Sequence, residues 1–141
     1  MQIDNLDKQI LGILKKDSRC PFVDIAERIG VSEGTVRSRV HKMSSEGVIK
    51  GFTIRTGSRN AKALVEVRID VNADTSEVAG RMLAFPEVKE VFEVTGDQDI
   101  ILIVDADSTQ RLNEILDTIR RHDSILNTYT HFILKEHFGS A

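Results

Sequence analysis

One stretch of the chain concentrates side chains that suit contact with a polyanion. Between Ser32 and Arg59 there are six basic and two acidic residues, a local charge of +4 in a chain whose net charge is −3. Arginine can offer guanine a forked pair of hydrogen bonds, lysine presents a point charge to phosphate, and short hydroxyl side chains let a helix approach base edges. This composition favours nucleic acid as a partner; the alternative is a solvated charged surface.

Groups used in catalysis and metal binding are sparse by comparison. None of the four histidines pairs with another at the spacing of metal ligands: His41, His122, His131 and His137. The single cysteine, Cys20, lies among core-forming residues, which is typical of an inert thiol, and it excludes a disulfide framework within the chain. There is no phosphate-binding glycine loop. We therefore expect no catalytic residue, no metal site, no cofactor and no enzymatic activity.

The 141 residues suffice for one ordinary domain or two small ones. The longest apolar run has five residues, from Ile100 to Val104, whereas a membrane span needs about 20. The N-terminus has neither the basic nor the apolar segment of a secretory signal. These features predict a soluble, cytoplasmic protein without a membrane partner.

Hydrophobic spacing predicts three helices in the first third of the chain. They run from Asp4 to about Asp17, from Val23 to Ile29 and from Glu33 to Glu46. Gly30 can end the second helix and Ser32 can cap the third. Two helices joined by such a short turn form the helix-turn-helix pattern, in which the second of the pair enters the major groove of double-stranded DNA.

The third helix has one apolar side and one polar side. Val36, Val40 and Met43 recur at helical spacing and should pack inward. We expect the polar side and the cap to contact DNA through Ser32, Glu33, Gly34, Thr35, Arg37, Ser38, Arg39 and Lys42. For Arg39 a second role stays open, in which it holds this helix against acidic residues of the first one.

Beyond the helices we predict an α+β protein with a second domain. The order of elements after the segment 56–60 is βαββαβ, the ferredoxin-like arrangement, with its first and third strands in the centre of the sheet. The predicted boundaries are a helix-turn-helix domain at 1–50, a linker strand at 51–61 and a ferredoxin-like domain at 62–141.

Such a sheet has helices on one face only, so its other face should be partly apolar and open. We expect that open face to carry Leu64 with some of Ile101, Ile103, Phe132 and Leu134. Because an exposed apolar surface is normally covered, the pattern predicts a dimer formed sheet to sheet.

Four linked motifs make a family resemblance specific. Leu6–Leu11 resembles the opening "LDxxIL" of the Lrp/AsnC, or feast/famine, regulators. The segment 24–40 resembles their "dlAxxlgvSxxTVrxRi" core, and Glu46–Phe52 resembles "eGvIxgy". Thr95–Asp99 resembles the "tGxxD" of the family's C-terminal ligand-binding domain. The motifs follow in the family's order and span nearly the whole chain.

The resemblance implies a transcription regulator that forms dimers, often assembled into octamers, and binds a small effector, usually an amino acid. Carried over by motif, the effector-binding candidates are Gly96, Asp97, Gln98, Asp99, Thr128 and Thr130. A plain turn and β-propensity on an edge strand are the alternatives for these positions. Gln98 stands where the family often has an aromatic residue. Its amide can both donate and accept hydrogen bonds, so we expect the effector to be a polar or charged amino acid.

A different function also fits the resemblance to the C-terminal domain. The chain could sense an amino acid and act through protein partners without binding DNA itself. The basic segment 32–59 favours the DNA-binding regulator instead. The effector, the operator sequence and the direction of regulation are not encoded in any pattern that we can interpret.

Overall fold

The computed structural model describes residues 2–57, 60–137 and 139, which belong to two compact units. The first unit comprises the residues up to Thr56 together with Gly139, and the second begins at Gly57, inside the segment that the sequence marks as a linker. In the described part of the chain, no helix combines the length and the apolar character that crossing a membrane requires.

The first unit is built of three helices. Their bounds are Asn5–Lys16 for α1, Phe22–Ile29 for α2 and Glu33–Ser45 for α3. Gly30 ends α2 at φ +71°, a left-handed conformation that glycine adopts without strain. The inward residues are the ones that hydrophobic spacing predicts, with Ile10, Ile25, Val36 and Met43 fully buried. The helix-turn-helix prediction is therefore confirmed in outline.

The linker strand is not formed in the single chain. We expected a strand within 51–61, but the described residues before Ala61 have no strand structure. A strand needs a neighbouring strand, and the described strands of this chain pair with one another in a single sheet. Phe52 and Ile54 of this segment remain exposed, the latter at 77%.

The second unit is a four-stranded antiparallel sheet with two helices. Its elements are β1 Ala61–Ile69, α4 Thr75–Met82, β2 Val88–Glu93, β3 Ile100–Ala106, α5 Thr109–Arg120 and β4 Ile125–Phe132. The strand order is β2-β3-β1-β4, so the first and third strands lie in the centre as predicted. The hydroxyl of Ser108 accepts from the Arg111 amide and caps α5, while Asp74 caps α4 in the same way.

Burial alternates along the central strands. Val65, Val67, Leu102 and Val104 are fully buried on the face that α4 and α5 cover. Their neighbours on the other face are only partly buried. This second face, called the open face below, carries Leu64, Phe92, Ile101, Ile103 and Tyr129.

Of the four residues of which some were expected beside Leu64, Ile101 and Ile103 lie on the open face, and the other two do not. Phe132 pairs with the fully buried Ala63 across β1 and β4, so it shares the helix-covered face. Leu134 follows the end of β4 and is almost completely exposed. The pairing register of β4, which includes an irregularity between Arg68 and Ile69, decides this placement.

Candidate DNA-binding and effector sites

The outward side of α3 forms a continuous polar surface. Gly34, Arg37, Ser38 and Lys42 are exposed, whereas Val36 and Val40 on the opposite side are buried. A Cβ built on Gly34 would meet only the Ser32 hydroxyl, at 3.9 Å. The helix can therefore bring its own backbone close to another molecule at Gly34.

The N-terminal end of α3 is closed by two hydroxyl side chains. Ser32 Oγ accepts from the Thr35 backbone N–H at 3.1 Å and lies 2.8 Å from the Thr35 hydroxyl. Satisfying these groups fixes where the helix begins. Both hydroxyls lie at the end of the helix that enters the groove in a helix-turn-helix protein.

Arg37 is held at the surface by two weak contacts. It forms an ion pair with Glu33 one turn earlier, and both side chains are largely exposed. Its guanidinium also lies 5.5 Å from the centre of the Phe22 ring on α2. An exposed pair one turn apart stabilises a helix by only about 0.3–0.5 kcal/mol, so Arg37 can exchange Glu33 for another acceptor.

Arg39 faces inward, towards α1. It forms ion pairs with Asp4 and with Asp7, and its Nη1 lies 3.2 Å from Asp7 Oδ1. Asp7 has no exposed surface at all. The second role considered for Arg39 therefore fits the geometry, and we remove this residue from the expected DNA contacts.

Asp4 is part of the same arrangement. It accepts from the Asp7 backbone N–H, while Asp7 accepts from the Asp4 backbone N–H in a reciprocal capping box. The hydrogen bond from the Asp7 amide, followed by the one from Arg39, holds the pKa of Asp4 below its ordinary value. Arg39 thus ties the recognition helix to the N-terminus of α1.

His41 on α3 was not among the DNA contacts expected from the sequence. His41 is exposed and lies one turn after Ser38, on the same side of the helix. Its spacing from Arg37 and Ser38 was the available signal. A ring with two nitrogens at this position can donate to phosphate oxygens or accept from bases.

The loop 96–99, called the effector loop below, joins β2 to β3. Gly96 has φ +120°, which strongly favours glycine there. Asp97 is exposed. Gln98 is partly buried, and its Oε1 has no hydrogen-bond partner in the described part of the chain. A buried acceptor without a donor is costly unless another molecule supplies one.

Asp99 has a structural task that the sequence did not reveal. Its carboxylate accepts from the Ile69 backbone N–H at 2.9 Å, and its own N–H donates to the Val67 carbonyl at 3.0 Å. These bonds join the effector loop to the end of β1. The Asp99 carboxylate therefore already has a partner within the fold, and its part in effector binding stays a prediction.

Thr128 and Thr130 lie on β4 and differ in what they bind. Thr128 Oγ1 accepts from Arg120 Nε of α5 at 3.0 Å. Thr130 Oγ1 is buried without a partner among the described residues. Sequence reasoning missed Arg120, whose guanidinium puts a positive charge beside Thr128.

The two groups of effector candidates lie on opposite sides of β1. Thr128 pairs with Val67 from one side, and the Asp99 N–H bonds to the same Val67 from the other. Two strand spacings therefore separate them, about 10 Å. Thr130 lies two residues further along β4, beside Val65. The structure therefore places the two groups on strands that flank β1 and not in direct contact.

Comparison with known proteins agrees with this architecture. Residues 3–44 match the model of the AsnC-type helix-turn-helix domain, and residues 62–140 match that of the Lrp/AsnC ligand binding domain. The chain therefore belongs to the Lrp/AsnC family of transcription regulators. It combines a DNA-binding domain with a ligand-binding domain, so the regulator predicted from the sequence is confirmed.

Similar proteins include named regulators. The chain is 36% identical over 137 residues to the transcriptional regulator LysM of Saccharolobus solfataricus, covering 96% of each protein. It is 33% identical to the regulator FL11 of Pyrococcus furiosus, covering 96% of this chain and 91% of that protein. A feast or famine regulatory protein of M. tuberculosis, solved with L-methionine, matches with a TM-score of 0.85 and 25% identity, over 98% of this chain and 96% of that one.

Proposed function

We propose that this regulator binds operator DNA sequence-specifically as a symmetric dimer and that an amino acid controls its assembly or its DNA binding. The observation that carries the proposal is the exposed polar side of α3 above a fully buried apolar side. We place its action in the cytoplasm.

In the proposed complex α3 lies in the major groove. Arg37 reads a guanine, because its present partner Glu33 is exposed and easily replaced. Lys42 and His41 contact phosphates further along the helix, and the small residues Gly34 and Ser38 allow close approach. Ser32 and Thr35 bring the amides of the helix N-terminus to the backbone of the duplex.

The dimer is proposed to form through the open face and the segment 51–57. Phe92 and Tyr129 are about half exposed on that face, beside Leu64 and Ile103. A surface of this kind is normally covered by a partner. The segment 51–57 would gain its missing strand neighbour from a second copy of the chain, and further assembly to octamers is the family's pattern.

The effector is proposed to bind at the effector loop. The exposed Asp97 suits an ammonium group, and Gln98 Oε1, which has no partner in the part of the chain that the structure describes, suits a donor on a polar side chain. Backbone N–H groups at Gly96 and Asp97 suit a carboxylate. Thr128 and Thr130 would complete the site through a second chain or through the ligand's side chain, since about 10 Å separates them from the loop.

Two measurements test the proposal together. A gel-shift assay with genomic fragments at moderate salt should give a specific complex, and footprinting should show two related half-sites about one helical turn apart or a multiple of it. A thermal-shift screen of the twenty amino acids should identify the effector. A protein that binds an amino acid but no DNA would instead be the sensor that acts through protein partners.

A further inference from the structure

A cavity lies away from the effector loop, between α4 and α5 on the helix-covered side of the sheet. Its volume is about 200 Å³. Most of its lining is apolar: Val78, Met82, Phe85, Ile119 and Ile125. Arg81, Thr118 and His122 are the polar residues that complete it. We call this space the helix cleft.

The Arg81 guanidinium and the His122 ring lie in contact in the helix cleft, and their hydrogen-bonding groups do not match. The Ser124 backbone N–H donates to His122 Nδ1 at 3.2 Å, and Arg81 Nη1 lies 2.7 Å from His122 Nε2. Both ring nitrogens therefore face a donor. A neutral imidazole can accept at only one nitrogen and a protonated one at neither, so in every protonation state a donor opposes a donor.

Moving Arg81 relieves this conflict more easily than moving Ser124. The Ser124 amide belongs to the backbone, whereas the Arg81 side chain is 60% exposed and otherwise paired only with Glu77 among the contacts described, at 2.6 Å. His122 then carries its proton on Nε2 and keeps the bond from Ser124. The Arg81 guanidinium, which is positively charged, and the His122 Nε2–H then both point to one position where an acceptor can bind.

We propose that the helix cleft binds a small aliphatic monocarboxylate. The carboxylate accepts from Arg81 and from His122 Nε2–H, and the hydrocarbon tail lies against Met82, Phe85 and Ile119. A cavity of about 150 Å³ is enough for benzene, so about 200 Å³ accommodates a tail of five or six carbons.

The lining also argues against an amino acid in the helix cleft. An α-ammonium group beside the carboxylate would lie next to the guanidinium of Arg81, and like charges at that distance repel. The acid nearest to Arg81 is Glu77, which the guanidinium already engages. The site is therefore distinct in its ligand from the proposed effector loop, where Asp97 suits an ammonium.

Three probes with one hydrocarbon skeleton test the proposal on the full chain by isothermal titration calorimetry. They are 4-methylpentanoate, leucine, which adds the ammonium, and 4-methylpentan-1-ol, which lacks the charge. We expect 4-methylpentanoate to bind and the alcohol to bind at least tenfold more weakly. Equal binding of the acid and the alcohol, or no binding of the acid at millimolar concentration, would overturn the proposal.

Variants locate the bound acid. Arg81→Gln should weaken 4-methylpentanoate about tenfold to hundredfold, which corresponds to losing one charge-assisted hydrogen bond. Glu77→Gln should strengthen it, because Glu77 competes for Arg81. Arg121→Gln is the matched control: it removes an exposed arginine next to His122 but outside the cleft, and should leave the affinity unchanged.

Three results would contradict the assignment. Equal losses in Arg81→Gln and Arg121→Gln would mean that only general charge matters. Leucine binding that depends on Arg81 would make the cleft an amino-acid site. Acid binding that survives Arg81→Gln but is lost in Asp97→Asn would place the acid at the effector loop, and each result leaves the proposed DNA-binding function untouched.

Discussion

Arg39 of the recognition helix donates to Asp7, a completely buried carboxylate of α1, with 3.2 Å between Nη1 and Oδ1. A buried charge is stable only when it is paired and hydrogen-bonded. The orientation of α3 on its supporting helix therefore depends on this pair as well as on apolar packing.

Asp7→Asn tests that dependence, because asparagine keeps the shape of the side chain and loses its charge. We expect the free energy of unfolding of the first unit to fall by about 1.5–3 kcal/mol, the range for a hydrogen bond to a charged group. Hydrogen exchange of the α1 and α3 amides measures this locally. Glu27→Gln, which changes an exposed acid of α2, is the control and should leave exchange unchanged.

Low pH should reduce the stability of the first unit, and the lowered pKa of Asp4 is the reason. Its pKa in the folded protein is below the ordinary 3.8, chiefly because of the Asp7 amide and then Arg39. A lowered carboxyl pKa gives stability that is present above the unfolded value and is lost as pH falls through the folded one. Between about pH 5 and pH 2, urea unfolding should therefore show a smaller loss of stability in Asp4→Asn than in the parent. Identical losses would mean that Asp4 contributes nothing.

DNA binding should separate the roles of Arg37 and Lys42. Arg37→Ala should reduce discrimination between operator and altered operator by about 1–3 kcal/mol, the range for a bidentate base contact. Lys42→Ala should weaken binding to all sequences alike and lower the slope of affinity against salt by about one. Gel shifts at several salt concentrations measure both effects. Exchanged phenotypes would show that the two assignments are reversed.

The sequence carried the local structure of the first unit well. Three signals allowed this: apolar spacing, Ser32 at a helix start and Gly30 at a helix end. Each depends on contacts within a few residues, so each can be predicted from the sequence alone. Arg39 was ambiguous for the opposite reason, since its partner Asp7 lies 32 residues away. Only the packing of α1 on α3 decides whether Arg39 faces DNA or forms an ion pair with α1.

Longer-range relations account for what the sequence left open in the second unit. It could not decide whether Phe132 lies on the open face, because alternation within β4 does not fix its register against β1. The hydrogen bond that Asp99 accepts could not be predicted from the sequence, because its donor Ile69 lies 30 residues earlier. The linker strand is absent for a different reason, since no described residue of 51–57 belongs to a strand and the described strands pair with one another.

The open face should control assembly. Phe92→Glu places a charge on that face at a position that is 45% exposed, so folding should survive. We expect light scattering to show a smaller assembly than that of the parent chain. Leu83→Glu is the control, because Leu83 is similarly exposed at 54% but lies at the end of α4, away from the open face. Dissociation by both variants, or by neither, would count against this interface.

Effector binding should depend on which carboxylate of the effector loop is free to contact the ligand. Asp97 is exposed, whereas the Asp99 carboxylate already accepts from Ile69, so Asp97 is the better partner for the ammonium of an amino acid. Asp97→Asn should weaken the amino acid found by thermal shift about tenfold to hundredfold, with unchanged unfolding temperature in its absence. Asp107→Asn, another exposed acid of this unit, should bind normally. Because Gln98 Oε1 lacks a donor among the described residues, polar amino acids should stabilise most; stabilisation by leucine, isoleucine and valine alone would refute that preference.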